Sequence, residues 1–309
     1  MDHFTKDQQF KGVKGWWNSR NVEKWDKQYD DWDEHTVRSL NRRKEKLLGF
    51  VSELDLGRGA KVLELGYGAG QMAAELGKMG FDYYGLDISE NLTEIASKRC
   101  RAECPNGSFS FKISNLDSVL PYSDNAFDLI LISGVLHYLY DPQVTLRESN
   151  RVLKTKGHIV VGQRTAYSLS QLCSIRGIVG SLVYLLLREQ YELFPSFKAM
   201  LCDSRLGVVF GTFKNSKWMN TKFMLKGHDE WKYVLKKNLF SVRRLKRITQ
   251  NSGFDLVRVD GAYYCYSDDP KYFQFNLKVD DFLERLTRKR LAYSLCRLAR
   301  ITVLLGIKV

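Results

Sequence analysis

The segment that most constrains this chain is Lys61-Val62-Leu63-Glu64-Leu65 followed by Gly66-Tyr67-Gly68-Ala69-Gly70. A short apolar strand runs into a turn with glycine at every second position, and Gln71 to Met79 then suits a helix closed by Gly80. Alternating glycines let the backbone approach a ligand where a Cβ would clash. A turn that feeds a helix N-terminus also offers free N–H groups to the polar end of a nucleotide-like ligand. A second strand, Phe81 to Leu86, ends at Asp87. An acid at that strand end accepts hydrogen bonds from both hydroxyls of a ribose. The dinucleotide fingerprint GxGxxG needs its third glycine where this chain has Gln71, which disfavours a nicotinamide enzyme.

The rhythm continues downstream. Ser89 suits the N-cap of a helix reaching about Cys104, and Ser108 to Ile113 alternates as a third strand. Phe127 to Ile132 is continuously apolar, the pattern of a strand buried on both faces. Asp141-Pro142 opens a helix to Leu153, with Asp as cap and Pro at the first helical position, and His158 to Gly162 is a fifth strand. Strands alternating with helices predict an α/β fold: a Rossmann-like, doubly wound, mostly parallel seven-stranded sheet with N-terminal helices and a helical insertion. The expected divisions are an N-terminal helical lid over 1–57, a nucleotide-binding core over 58–165, a mainly helical insertion over 166–240 on the substrate side, and 241–309 returning to the core. In that last part Ser241 to Asn251 reads as a helix and Phe254 to Val259 as a strand. Tyr272–Leu277 and Ile301–Val309 compete for the final strand, and 282–305 reads as a basic amphipathic helix of interfacial composition.

With 309 residues and 44% apolar content, the chain buries a core without disulfides. Its six cysteines form no CxxC pair and lack a nearby histidine, so neither a zinc site nor any other metal is expected. No stretch reaches the ~18 uninterrupted apolar residues of a membrane span, and Met1 to Lys14 lacks the apolar centre of a signal peptide. The expected location is cytoplasmic. The net charge of +13 is uneven: 61–165 carries −1, whereas 213–250 carries +9 and 271–309 carries +6. That basic, partly apolar C-terminal half suggests peripheral contact with an anionic membrane.

Four features in order resemble the class I S-adenosylmethionine-dependent methyltransferases, above all the subgroup containing the ubiquinone and menaquinone biosynthesis enzymes. They are Glu64-Leu65-Gly66-Tyr67-Gly68-Ala69-Gly70, then Gly85-Leu86-Asp87-Ile88-Ser89, then Leu120-Pro121 through Phe127-Asp128, and finally Leu146-Arg147-Glu148 through Arg151 to Gly157. The resemblance covers about 40–165 and, more weakly, 241–262. It implies S-adenosyl-L-methionine as cofactor. It also implies that Gly66, Gly68 and Gly70 wrap the methionine part, that Glu64 steadies the loop or reaches the amino group through water, that Asp87 holds the ribose hydroxyls, and that Ile88 packs on the adenine. The adenine amino group falls to Asn115-Leu116-Asp117, where the register is one residue longer than usual and leaves Asn115 and Asp117 as alternatives. Tyr67 either shields the cofactor or fills space, and Ser133 and Gly134 border the methyl group.

His137, three residues past Gly134, is the candidate base for an oxygen or acidic carbon nucleophile, against a packing role. Asp128 and His158 read as structural, and Trp25 and Tyr29 as lid aromatics or core packing. The expected activity is methyl transfer to a small or lipid-like acceptor molecule. RNA methylation is the alternative raised by the basic segments. Nucleic acid is disfavoured because no proline is adjacent to another or followed by Cys, which removes the motifs of amino-group and cytosine C5 base methylation. A non-catalytic scaffold of the same fold is the remaining alternative.

Overall fold

Seven strands form one sheet in the order β3-β2-β1-β4-β5-β9-β8. They are β1 (Lys61–Leu65), β2 (Asp82–Asp87), β3 (Ser108–Ile113), β4 (Phe127–Ser133), β5 (Leu153–Arg164), β8 (Phe254–Ala262) and β9 (Ile301–Lys308). The first five run parallel, and β9 lies antiparallel between β5 and β8. The structure, a computed structural model, describes residues 5–19, 27–30, 34–165, 219–221, 235–238, 240–264, 278–279, 281–283, 285, 299 and 301–309.

Both faces of the sheet are covered, as a parallel sheet requires. Val62, Leu129, Leu131, Val160 and Val303 pack with Leu47, Phe50 and Val51 of α2 (Glu34–Ser52) and with Met72, Ala73 and Leu76 of α3 (Gln71–Lys78). Alternate residues of the same strands, Leu63, Leu65, Ile130, Ile132, Ile159 and Val161, face Leu146 of α5 (Pro142–Val152) and Leu245 and Ile248 of α6 (Val242–Gln250). The caps read from the sequence form. Ser89 Oγ accepts from Leu92 N at the head of α4 (Glu90–Glu103), Asp141 accepts from Gln143 N, and Ser241 accepts from Arg244 N. Asp128 is structural, accepting from Lys61 N at 2.9 Å and pairing with Lys154 at 2.7 Å, so it ties β1 and β5 to the start of β4. Arg151 anchors the loop before β4 through Glu148, Asp124 and the carbonyls of Leu120 and Tyr122.

Two expectations are corrected. The final strand is Ile301–Lys308, so residues 301–305 of the stretch read as an amphipathic helix over 282–305 are strand. Ile301 to Leu305 are buried between β5 and β8, and this central position explains why four of the five are aliphatic. The fifth strand begins at Leu153 instead of His158, because its ladder with β4 shifts between Phe127 and Leu129 and Lys156 takes a φ of 62°. Within the stretch read as a mainly helical insertion, β6 (Met219–Thr221) pairs antiparallel with β7 (Leu235–Lys237). The rest of 166–234 lies outside the described residues, as do Trp25, Tyr272–Leu277 and most of 286–300.

The third glycine of the loop is held by packing. Gly70 has a φ of 80°, and a Cβ there would lie 2.9 Å from Cα and Cβ of Ala96 on α4. Gly70→Ala is therefore expected to cost about 2–4 kcal/mol, from left-handed strain plus overpacking. Urea denaturation of the variant checks this.

Candidate cofactor site

In an open α/β sheet, ligands bind where the strand order reverses, outside the carboxyl ends of the strands. Here that point lies between β1 and β4, whose ends carry Gly66–Gly70 on one side and Ser133–Leu136 on the other. Gly66, Gly68 and Gly70 all have positive φ, at 81°, 56° and 80°. A Cβ on Gly66 would overlap the Val135 side chain across the crevice.

Asp87 closes the arrangement from β2. Its Oδ2 accepts from Gly68 N at 2.9 Å, while Oδ1 accepts from Ile88 N at 2.7 Å and Ser89 N at 3.0 Å. One carboxylate thus fixes the glycine loop to the head of α4. Oδ1 is filled by two donors, and Oδ2 has a second lone pair beyond its bond to Gly68. Burial raises the Asp87 carboxyl above its ordinary range, and the three backbone N–H bonds pull it back down.

Glu64 lies on β1, 2% exposed, and accepts from Tyr83 Oη at 2.7 Å. Burial pushes its carboxyl up to about 8; the Tyr83 bond opposes this, Asp87 adds to it, and Arg43 counters it. Two buried acids at one crevice favour a cationic ligand. Arg43 comes from α2, its stem against Gly162 and its guanidinium against Gly134. Sequence reading missed it, because an arginine in a charged helix carries no signal until packing turns it inward.

The Tyr67 side chain is buried. Its Oη lies 2.6 Å from Thr93 Oγ1, its ring packs edge-on to Phe111, and it occupies the space left by Gly85, where a Cβ would sit 2.6 Å from its ring.

Beyond Asp87, Ile88 packs against Val13 and Trp16 of α1 (Lys6–Ser19), together with Trp17 and Tyr138. Trp17 meets Tyr138 edge-on at 5.5 Å. Lys14 pairs with Glu90, and Ser89 Oγ donates to Asn18, which docks α1 on α4. Among the described residues, the aromatics clustered with Ile88 are Trp16 and Trp17 of α1 and Tyr138. Tyr29 instead lies on α2, where its carbonyl accepts from Asn41.

At the end of β3, Asn115 Oδ1 accepts from Asp117 N, and Leu116 is buried in the core. Asp117 receives Tyr140 N at 2.7 Å and Asp141 N at 3.0 Å, one on each oxygen. Ser133 is half-buried at the end of β4. His137 faces Gln163 of β5. Among the described residues, no cluster of three His, Cys, Asp or Glu side chains is arranged to hold a metal.

Residues 63–161 match the family described as "Methyltransferase domain". Over that stretch the chain is therefore similar to a methyltransferase domain. A methyltransferase from Streptomyces halstedii, GfsG, is 32% identical over 43% of this chain and 49% of its own length. A demethylmenaquinone methyltransferase from Tropheryma whipplei is 32% identical over 38% of this chain and 44% of its own. The chain spans about half the length of the curated relatives it matches first. Among solved structures, magnesium protoporphyrin IX methyltransferase from Synechocystis, with bound SAH, aligns at a TM-score of 0.56 and 13% identity over 97% of this chain and all of that one. That likeness carries the methyltransferase fold.

Proposed function

We propose that this methyltransferase domain transfers a methyl group from S-adenosylmethionine to a small or lipid-like acceptor. The observation that carries the cofactor half is the bond from Gly68 N to Asp87 at the strand-order reversal, which sets an acid beside a side-chain-free loop. In this reading Asp87 Oδ2 offers its second lone pair to the ribose. Gly66, Gly68 and Gly70 lie along the methionine part, and Tyr67 contributes only its backbone. Glu64 faces the cationic end, and Arg43 is aimed at the opposite charge, a carboxylate. Ile88, backed by Trp16 and Trp17, is the adenine wall. Asn115 and Leu116 take the far edge of the base, while Asp117 works by holding the Tyr140–Asp141 backbone. Ser133 borders the transferred group.

The bound cofactor supplies a methyl group already activated by a sulfonium charge. The protein's share is in-line positioning and exclusion of water. α1 suits the second task, because it already covers Ile88. The lid over 1–57 and a substrate-side insertion over 166–240 belong to this proposal, since specificity on a shared fold resides in its grafted parts. The demethylmenaquinone methyltransferase relatives support an apolar, quinone-precursor type of acceptor.

The test is incubation of the full chain with methyl-labelled cofactor and a cell extract, then separation into lipid, small-molecule and RNA fractions. Label in the lipid or small-molecule fraction is expected. Label confined to RNA would replace the acceptor class, and tight cofactor binding with no label anywhere would leave a scaffold.

A further inference from the structure

Gln163, next to last in β5, is 1% exposed. Its Nε2 lies 3.1 Å from His137 Nδ1 and 3.3 Å from the carbonyl oxygen of Arg164. A carbonyl oxygen only accepts, so the amide edge that meets Arg164 is the NH2 group; turned over, the side chain would set two carbonyl oxygens against each other. That same NH2 group has no lone pair, so it donates to Nδ1. A neutral imidazole with Nδ1 accepting carries its proton on Nε2.

Two further observations mark the position. Gln163 Oε1 is buried without a hydrogen-bond partner, and so is Oγ1 of Thr302, the register partner of Gln163 on β9. Leaving a buried carbonyl unpaired is costly, and an apolar residue at 163 would avoid the cost. What glutamine provides in return is its NH2 group, held against His137. The ring's backbone is fixed as well: the His137 carbonyl accepts from Asn238 N, and Gly134 N donates to Gly162 O beside it.

We propose that Gln163 is a positioning residue that locks His137 as the Nε2–H tautomer, so that His137 serves the methyl acceptor as a hydrogen-bond donor and not as a base. The tautomer stands on geometry alone; its catalytic meaning rests on the methyltransferase reading. The acceptor is then one with an oxygen that carries or develops negative charge, such as a phenolate, an enolate or a carbonyl conjugated to the reacting carbon. A neutral amine acceptor would gain nothing from such a donor.

The experiment is two-bond ¹H–¹⁵N correlation spectroscopy on the full chain, above the ordinary imidazole titration range. The His137 signals are assigned by their loss in His137→Gln. The wild type is expected to show the Nε2–H pattern at His137. Gln163→Glu, whose carboxylate only accepts, is expected to put a proton on Nδ1, and Gln163→Leu to give a mixture of tautomers. An Nδ1–H pattern in the wild type overturns the proposal even if neither variant folds, as does an unchanged pattern in both folded variants. Calorimetric titration of the same wild-type sample with S-adenosylhomocysteine reports separately on the cofactor reading. Its failure would remove the catalytic meaning and leave the tautomer standing.

Discussion

Asp87→Asn is expected to weaken cofactor binding by at least about tenfold while the chain stays folded. The asparagine oxygen still accepts from Ile88 N and Ser89 N, which keeps the head of α4 capped. Its NH2 group, however, then faces Gly68 N, donor against donor, where the wild type has a 2.9 Å bond. The loop loses its tether and the ribose loses its acceptor in one step. Asp87→Ala goes further, because it orphans the N–H groups of Gly68, Ile88 and Ser89 together. Each buried donor left unsatisfied costs about 1–3 kcal/mol, so alanine is expected to lower stability as well as affinity. Titration calorimetry with S-adenosylhomocysteine, paired with a thermal melt, separates the two variants. Unchanged affinity in both would remove Asp87 from the site.

The parts of this arrangement that were legible in the sequence are those that local chemistry dictates. Ser89, Asp141 and Ser241 announce helix starts because a cap needs a short side-chain acceptor, and all three accept the expected N–H. The loop glycines were legible for the same reason, since three positive φ values in five residues leave little choice of side chain. The choice between Tyr272–Leu277 and Ile301–Val309 was not legible. Both runs have strand composition, and only the slot between β5 and β8 decides for the second. The extended start of β5 was hidden by a ladder shift that periodicity does not register. Arg43 and Gln163 were missed because each looks ordinary in its own element. What makes them distinctive is a neighbour far away in sequence: Gly134 for Arg43, and His137 for Gln163.

Glu64 gives the second large effect, and its sign runs opposite to that of a salt-bridged carboxylate. Paired acids usually have lowered pKa values and stabilise a fold at neutral pH. Glu64 is raised from 4.5 to about 8, first by burial and then by Asp87, against the opposing pull of Tyr83 and Arg43. The folded chain therefore holds a proton that the unfolded chain has released between those two values. Stability falls as pH rises through that window, by up to about 1.4 kcal/mol per pH unit, and levels off above it. Glu64→Gln removes the ionisable group but retains an oxygen for Tyr83. Its melting temperature is expected to be nearly flat across the window and above that of the wild type at its upper end. The same proton bears on the cofactor. A ligand bearing sulfonium and ammonium charge beside Glu64 favours the carboxylate, so binding expels the proton. Wild-type affinity is then expected to rise with pH up to about 8, with proton release visible as buffer-dependent binding heats at neutral pH, while Glu64→Gln shows neither. Parallel melting profiles together with buffer-independent heats would mean that Glu64 is already ionised before the ligand arrives, and the crevice would then be charged from the outset instead of by its ligand.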